Sequence, residues 1–219
     1  MLTSHIRHDC DALGSVLGMM DILEQLGKDV IVVNGQPTPP NLAFIDPENR
    51  IKAIGVDVQL EDLQDRDIHM VLDTSAWAQL GAMGDVIKSM DIPLIVVDHH
   101  QGEDDLGATF FKDTTAEAAG KLVADAADAL GVTWTSRMAR PLFAAVATDT
   151  GWYRFGSAGA GTYQLAARLI EAGASPAEIY GQLYEQETCL LYTSPSPRDQ
   201  RGSRRPAGAG KKKGGGGGG

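Results

Sequence analysis

Read as apolar and polar positions, the chain alternates short β-branched runs with longer stretches of helical period. Residues 1–6, 30–33, 51–54 and 67–72 are strand-like. So are residues 93–97, Pro93-Leu94-Ile95-Val96-Val97, an unbroken apolar run of the kind found in strands buried on both faces. Residues 108–111 read as an edge strand. Leu13, Val16, Leu17, Met20, Leu23 and Leu26 recur at helical spacing over residues 12–26, and Gly27 stops them. A Pro-rich loop covers residues 34–40 and one helical turn residues 41–44. Helices are expected over residues 80–90, 115–130, 136–148, 162–171 and 175–185. Glu117 would lie early in the 115–130 helix, where a carboxylate suits the dipole, and Ser175-Pro176 would cap and open the last. Strands alternating with helices imply an α/β fold: a mainly parallel sheet with helices on both faces, and a small helical portion at the C-terminal end.

Composition narrows this picture. At 219 residues and 43% hydrophobic, the chain suits one large α/β domain or two small ones. No apolar run approaches the roughly 18 residues of a membrane span, and no secretory signal precedes the first strand. Cys10 and Cys189 stand far apart, so a reduced, cytoplasmic protein is expected. From about residue 188 onward the character changes to Ser-Pro pairs, Arg/Gly-rich sequence, three lysines and a glycine run. That tail, 188–219, cannot bury a core and is expected to be disordered. Residues 191–199 look like translated sequencing adapter, so no function is drawn from the tail. The formal net charge of −10 includes seven basic tail residues and Asp199; without them 12 basic and 28 acidic residues remain, a net −16. A body this acidic is a poor binder of duplex DNA, although bound cations would still admit a small anionic substrate.

The candidate chemistry lies where apolar segments end in aspartate. Val96-Val97 runs into Asp98-His99-His100; Met70-Val71-Leu72 ends in Asp73; residues 144–148 end in Asp149; and the first strand leads into His5, Asp9 and Asp11. In open α/β sheets the C-terminal ends of strands are where sites form. Taken singly, each of these residues could be a helix cap, a turn aspartate or a satisfied polar group. Jointly, His5, Asp9, Asp11, Asp73, His99 and Asp149 form a donor set of two imidazoles and four carboxylates without thiolate. Such a set suits Mn²⁺, and less well Mg²⁺, Co²⁺ or Fe²⁺. So many acids in one crevice would repel one another, and two cations sharing one aspartate would offset that charge. His8 reads as a solvated rim residue, Glu103-Asp104-Asp105 as a solvated loop, and Gly14 as permitting close helix–strand approach.

These residues also carry a resemblance. His5-x3-Asp9-x-Asp11-Ala12-x-Gly14-Ser15, Asp73, Asp98-His99-His100, Thr115-Ala116-Glu117, and Asp149-Thr150-Gly151 with Phe155 follow the motif order of the DHH phosphoesterases. The chain resembles that family over about residues 1–187, and most resembles its nanoRNase/pAp-phosphatase (bifunctional oligoribonuclease) branch. The resemblance implies a Rossmann-like catalytic domain in which His5, Asp9 and Asp73 hold one divalent cation, and Asp11, Asp73, His99 and Asp149 a second, with Asp73 as the bridge. It implies that Asp98 orients a histidine, that His100 contacts the substrate phosphate, and that a water activated by two Mn²⁺ ions attacks phosphorus in short single-stranded oligoribonucleotides or pAp.

The chain departs from the family where His8-Asp9-Cys10-Asp11 stands for the usual Pro-Asp-Gly-Asp; a thiol there could invite zinc or oxidation. The family's C-terminal substrate-binding domain has no counterpart before the adapter-like sequence, so the chain reads as a catalytic domain cut from a longer enzyme. A pyrophosphatase or single-strand exonuclease of the same family stays open, as do a non-catalytic metal- or nucleotide-binding fragment and a homodimer.

Overall fold

Six strands, every neighbouring pair parallel, form the centre of the molecule in a computed structural model that describes residues 1–185. They are β1 (Leu2–Thr3), β2 (Val32–Asn34), β3 (Ile51–Ala53), β4 (His69–Leu72), β5 (Leu94–Asp98) and β6 (Thr109–Lys112), in the spatial order β3-β2-β1-β4-β5-β6. That is the doubly wound order, with the reversal between β1 and β4. The expected α/β class, parallel sheet and edge position of β6 are all present. Met1–Leu183 form one compact unit; the tail over 188–219, Cys189 included, lies outside the described residues.

Side-chain alternation along the strands splits the core in two. Leu2, Val32, Leu72 and Val97 pack on one face against α1 (Cys10–Gln25), α4 (Ala119–Leu130) and α5 (Ser136–Asp149). Val33, Val71 and Val96 face α2 (Trp77–Leu80) and α3 (Ala82–Ser89) on the other. The helices α6 (Ala160–Glu171) and α7 (Pro176–Tyr180) complete the C-terminal portion. Among the described residues no helix is long and apolar enough to cross a membrane.

Several expectations shift for identifiable reasons. The helix expected over residues 80–90 is two helices, broken at Gly81. Its φ of +55° is a conformation L side chains avoid, and a Cβ there would lie 2.6 Å from Ile6 Cγ2. The helix expected from Thr115 begins at Ala119, because the Asp113 carboxylate accepts from the Thr115 amide and hydroxyl and holds a turn. Glu117 therefore precedes the helix instead of lying in its first turn. His69, on the central strand β4, is fully buried.

Helix α1 is buried continuously from Cys10 to Ile22 instead of presenting a polar face, because α4 and α5 cover the side away from the sheet. Gly14 serves a helix–helix contact, not the helix–strand approach its position suggested. A Cβ at Gly14 would lie 2.4 Å from the Pro141 carbonyl oxygen and 2.9 Å from Ala145 Cβ. Overpacking of this kind costs about 1–3 kcal/mol. Gly14→Ala is expected to lower the urea midpoint accordingly with an unchanged m-value; an unshifted midpoint would mean that α1 and α5 do not pack this closely.

Candidate metal centre

Strand register assembles the first half of the site. Thr3 pairs with Val71, and Leu72 with Val97, so His5 and Asp73 leave adjacent strands side by side, and Asp73 is level with Asp98. Asp98 in turn pairs with Lys112 of β6. All emerge at the carboxyl ends of the strands, next to the reversal of strand order, where open parallel sheets bind ligands.

Helix ends supply the other half. Asp9 caps α1, its Oδ1 accepting from the Ala12 amide, while Oδ2 faces His5 Nε2 at 3.7 Å. Asp9 is thus a helix cap with one oxygen and leaves the other facing His5. Asp11, in the first turn of α1, is buried and accepts from the Ala119 and Gly120 amides at the start of α4, at 2.7 and 2.8 Å. Asp149 is the last residue of α5.

All six predicted donors meet there. His5 Nε2 lies 3.3 Å from Asp73 Oδ2, and His99 Nε2 lies 3.5 Å from Asp73 Oδ1. His99 Nε2 is also 3.6 Å from Asp11 Oδ2 and 3.5 Å from Asp149 Oδ2. In the group His5, Asp9, Asp73, and again in the group Asp11, His99, Asp149, one ligand atom per residue lies within 4.8 Å of the others. The two oxygens of Asp73 point at different groups. Asp98 and His100 adjoin them: His100 Nδ1 is 2.8 Å from Asp98 Oδ1 and 3.7 Å from Asp73 Oδ1, and its ring is half exposed.

The geometry fits cations on two counts. Asp73 Oδ1 is buried without a hydrogen-bond partner, an arrangement that costs free energy unless a ligand satisfies it. Each of the two histidines also spends Nδ1 on a backbone carbonyl, His5 on Ile6 at 2.7 Å and His99 on Ala116 at 3.1 Å. That fixes the tautomer and turns Nε2 toward the carboxylates, as metal-binding histidines are held.

The electrostatics show the same crowding. Burial opposes the charge on His5 and His99, but the neighbouring Asp73 carboxylate outweighs it and holds each pKa up to about 9. The same two contacts hold Asp73 below its usual range despite burial. Asp11 is raised well above its normal value by burial and by Asp73 and Asp149, which its two amide donors do not offset. Burial, with Asp73 and Asp9, lifts Asp149 to about 6 against the pull of His99.

Backbone strain gathers here too. Arg7, Asp73, Trp152 and Tyr153 have φ between +57° and +63°. Non-glycine residues in that region cost about 1–2 kcal/mol each, and aspartate is among the side chains that tolerate it best.

Two neighbours differ from expectation. His8 is buried, not a solvated rim residue, with Nε2 donating to the Gln36 carbonyl at 3.0 Å. Cys10 joins no metal-capable group among the described residues; burial pushes its thiol up to about 12, which keeps it neutral and works against zinc capture or oxidation. The acidic loop Glu103-Asp104-Asp105 is exposed as expected, and from it Asp104 accepts from the Trp77 amide at 2.8 Å at the start of α2. The sequence reading missed Ser75 and Lys112, which touch Asp98, and the α4 amides that hold Asp11. The Ser two positions after Asp73 was a usable signal; the amides had none, since backbone groups leave no mark in sequence.

Known proteins are similar to this chain in sequence and in fold. The chain is 29% identical over 183 residues to the bifunctional oligoribonuclease and PAP phosphatase NrnA of Thermus thermophilus, covering 83% of this chain and 52% of that one. It is 27% identical over 190 residues to the protein of the same name in Bacillus subtilis, covering 84% and 56%. The chain thus spans about half the length of these relatives. In fold it is similar to an exopolyphosphatase-related protein from Bacteroides fragilis, with a TM-score of 0.77 at 23% identity, covering 84% of this chain and 55% of that one. It is also similar to a putative family II inorganic pyrophosphatase from Methanococcus jannaschii, with a TM-score of 0.62 at 16% identity, covering 82% and 58%. Residues 1–147 match the family model described as the DHH family, N-terminal domain, and the chain belongs to the DHH family.

Proposed function

We propose that this chain, over residues 1–187, is the catalytic part of a divalent-cation-dependent phosphoesterase that hydrolyses short single-stranded oligoribonucleotides and pAp. The observation that carries the reading is Asp73, whose two oxygens face two separate His/Asp groups. His5, Asp9 and Asp73 would hold one cation, and Asp11, Asp73, His99 and Asp149 the other. The thiolate-free donor set favours Mn²⁺, with Mg²⁺ or Co²⁺ as substitutes. Bound there, two cations would polarise the phosphoryl group and make water a better nucleophile.

The chain's own residues supply orientation. The Asp98 carboxylate accepts a hydrogen bond from His100 Nδ1, so the half-exposed ring offers Nε2 to a substrate phosphate. The names of the Thermus and Bacillus relatives support oligoribonucleotides and pAp as substrates. The acidic body argues against duplex DNA. The neutral, buried Cys10 thiol is in keeping with a cytoplasmic location.

The test is to incubate the chain with a labelled diribonucleotide, pAp or pyrophosphate, each with and without Mn²⁺. Mn²⁺-stimulated release of mononucleotide from the first and phosphate from the second is expected. No Mn²⁺-dependent turnover of either, or faster turnover of pyrophosphate, would overturn the assignment.

A further inference from the structure

The carboxylate of Asp98 is completely buried, and the groups around it form a structure of their own. Oδ1 receives the His100 amide at 3.2 Å and His100 Nδ1 at 2.8 Å. Oδ2 receives the Ser75 hydroxyl at 2.7 Å and faces Lys112 Nζ at 3.3 Å. Lys112 is the outermost member of the row His5, Asp73, Asp98, Lys112 that strand register lays across the sheet. Only 11% of its side chain is exposed, rare for a lysine on an edge strand.

Its ammonium meets four oxygens from three segments. Besides Asp98 these are Ser75 Oγ at 2.9 Å, the Gly102 carbonyl at 2.8 Å and Glu103 at 3.4 Å. The Ser75 hydroxyl lies 2.8 Å from the same Gly102 carbonyl. Lys112 and Ser75 thereby fasten the loop after β5, which begins with His99 and His100, to the segment after β4, which begins with Asp73. Burying an ammonium is costly unless it is paired and hydrogen-bonded, and surface burial alone gives no reason to place one here.

We propose that Lys112, acting with Ser75 through the Asp98 carboxylate, is a positioning residue that fixes the His100 ring at the mouth of the site. This rests on the phosphoesterase reading only for its effect on turnover; the effect on the ring is independent of it. The partners of Lys112 are Ser75, Asp98, Gly102 and Glu103, none of them among the six donors. Removal of Lys112 takes away one of the two partners of Asp98 Oδ2, leaving the Ser75 hydroxyl, and so loosens the partner of His100 Nδ1 while the six donors around Asp73 keep their places.

The experiment compares Lys112→Met, Lys112→Arg and Ser75→Ala in the full chain. Without metal, the Nδ1 proton of His100 is followed by ¹⁵N-edited NMR, assigned with His100→Gln. A slowly exchanging Nδ1 proton is expected in the wild type, with exchange at least about 10-fold faster in Lys112→Met and Ser75→Ala and substantial restoration in Lys112→Arg. With Mn²⁺, kcat on a diribonucleotide is expected to fall about 10- to 100-fold in Lys112→Met, the range typical of such supporting partners. Mn²⁺ affinity is expected to stay at the wild-type value, because Lys112 contacts none of the six donors. If Lys112→Met does not fold, Ser75→Ala carries the same readouts. An unchanged exchange rate, or an Mn²⁺ affinity that falls as far as kcat, would overturn the proposal. A wild type with a protected His100 proton but no turnover would instead count against the phosphoesterase reading and leave the positioning role standing.

Discussion

Asp73→Asn is expected to abolish tight binding of both cations and to lower turnover by at least about 10³-fold, since Lewis-acid stabilisation is worth several kcal/mol and each 1.36 kcal/mol is a factor of ten. Asparagine keeps the shape of the side chain and tolerates the φ of +63° at this position, so the backbone turn after β4 should survive. The charge is what is removed, and it lies 3.3 Å from His5 and 3.5 Å from His99. A substitution at Asp9, by contrast, should weaken one group and spare the other. Calorimetric titration with Mn²⁺ and turnover on a diribonucleotide check this together. Two intact binding events in Asp73→Asn would show that the carboxylate is not shared, and the two-cation reading would fail. In the metal-free variant, His5 and His99 should titrate well below about 9, because burial, which lowers a histidine pKa, is then less strongly opposed.

The second large effect is on pH. In the metal-free protein His5 and His99, each with a pKa of about 9, are protonated at pH 7, and each of the two cations must displace the proton of its own histidine. Filling both sites at pH 7 should therefore release about two protons, one per cation, and the apparent affinity of each site should rise up to about 10-fold per pH unit, levelling off near pH 9. Calorimetry in buffers of different ionisation enthalpy counts the protons directly; a count near zero would mean that neither histidine meets the cation.

Stability without metal should respond in the opposite sense. Both folded-state values lie above the ordinary histidine value of 6.5. Their contribution is complete below pH 6.5 and is lost as pH rises through about 9. Raising pH across that window should thus weaken the metal-free fold and strengthen metal binding, so the gap between the melting temperatures with and without Mn²⁺ should widen.

Much of the fold was legible because its signals are local. The period of Leu13, Val16, Leu17 and Met20 marks α1, and the unbroken run before Asp98 marks a central strand. The break at Gly81 was not legible, since it depends on Ile6, which is distant in sequence. The same holds for the late start of α4, where the Asp113 turn prevails over a helical pattern that extends further upstream.

For the site, the sequence by itself determined the chemistry: which donors exist, that they are oxygen and imidazole, and that each stands where an apolar segment stops. Only the tertiary structure decided their geometry. Register across the sheet set His5 beside Asp73, and Asp98 beside Lys112. The packing of α4 against α1 brought the Ala119 and Gly120 amides to Asp11. Side-chain periodicity records which face of its own element a residue occupies. It does not record which distant strand or helix end will meet that face, because that choice is made by burial and backbone hydrogen bonding summed over the whole chain.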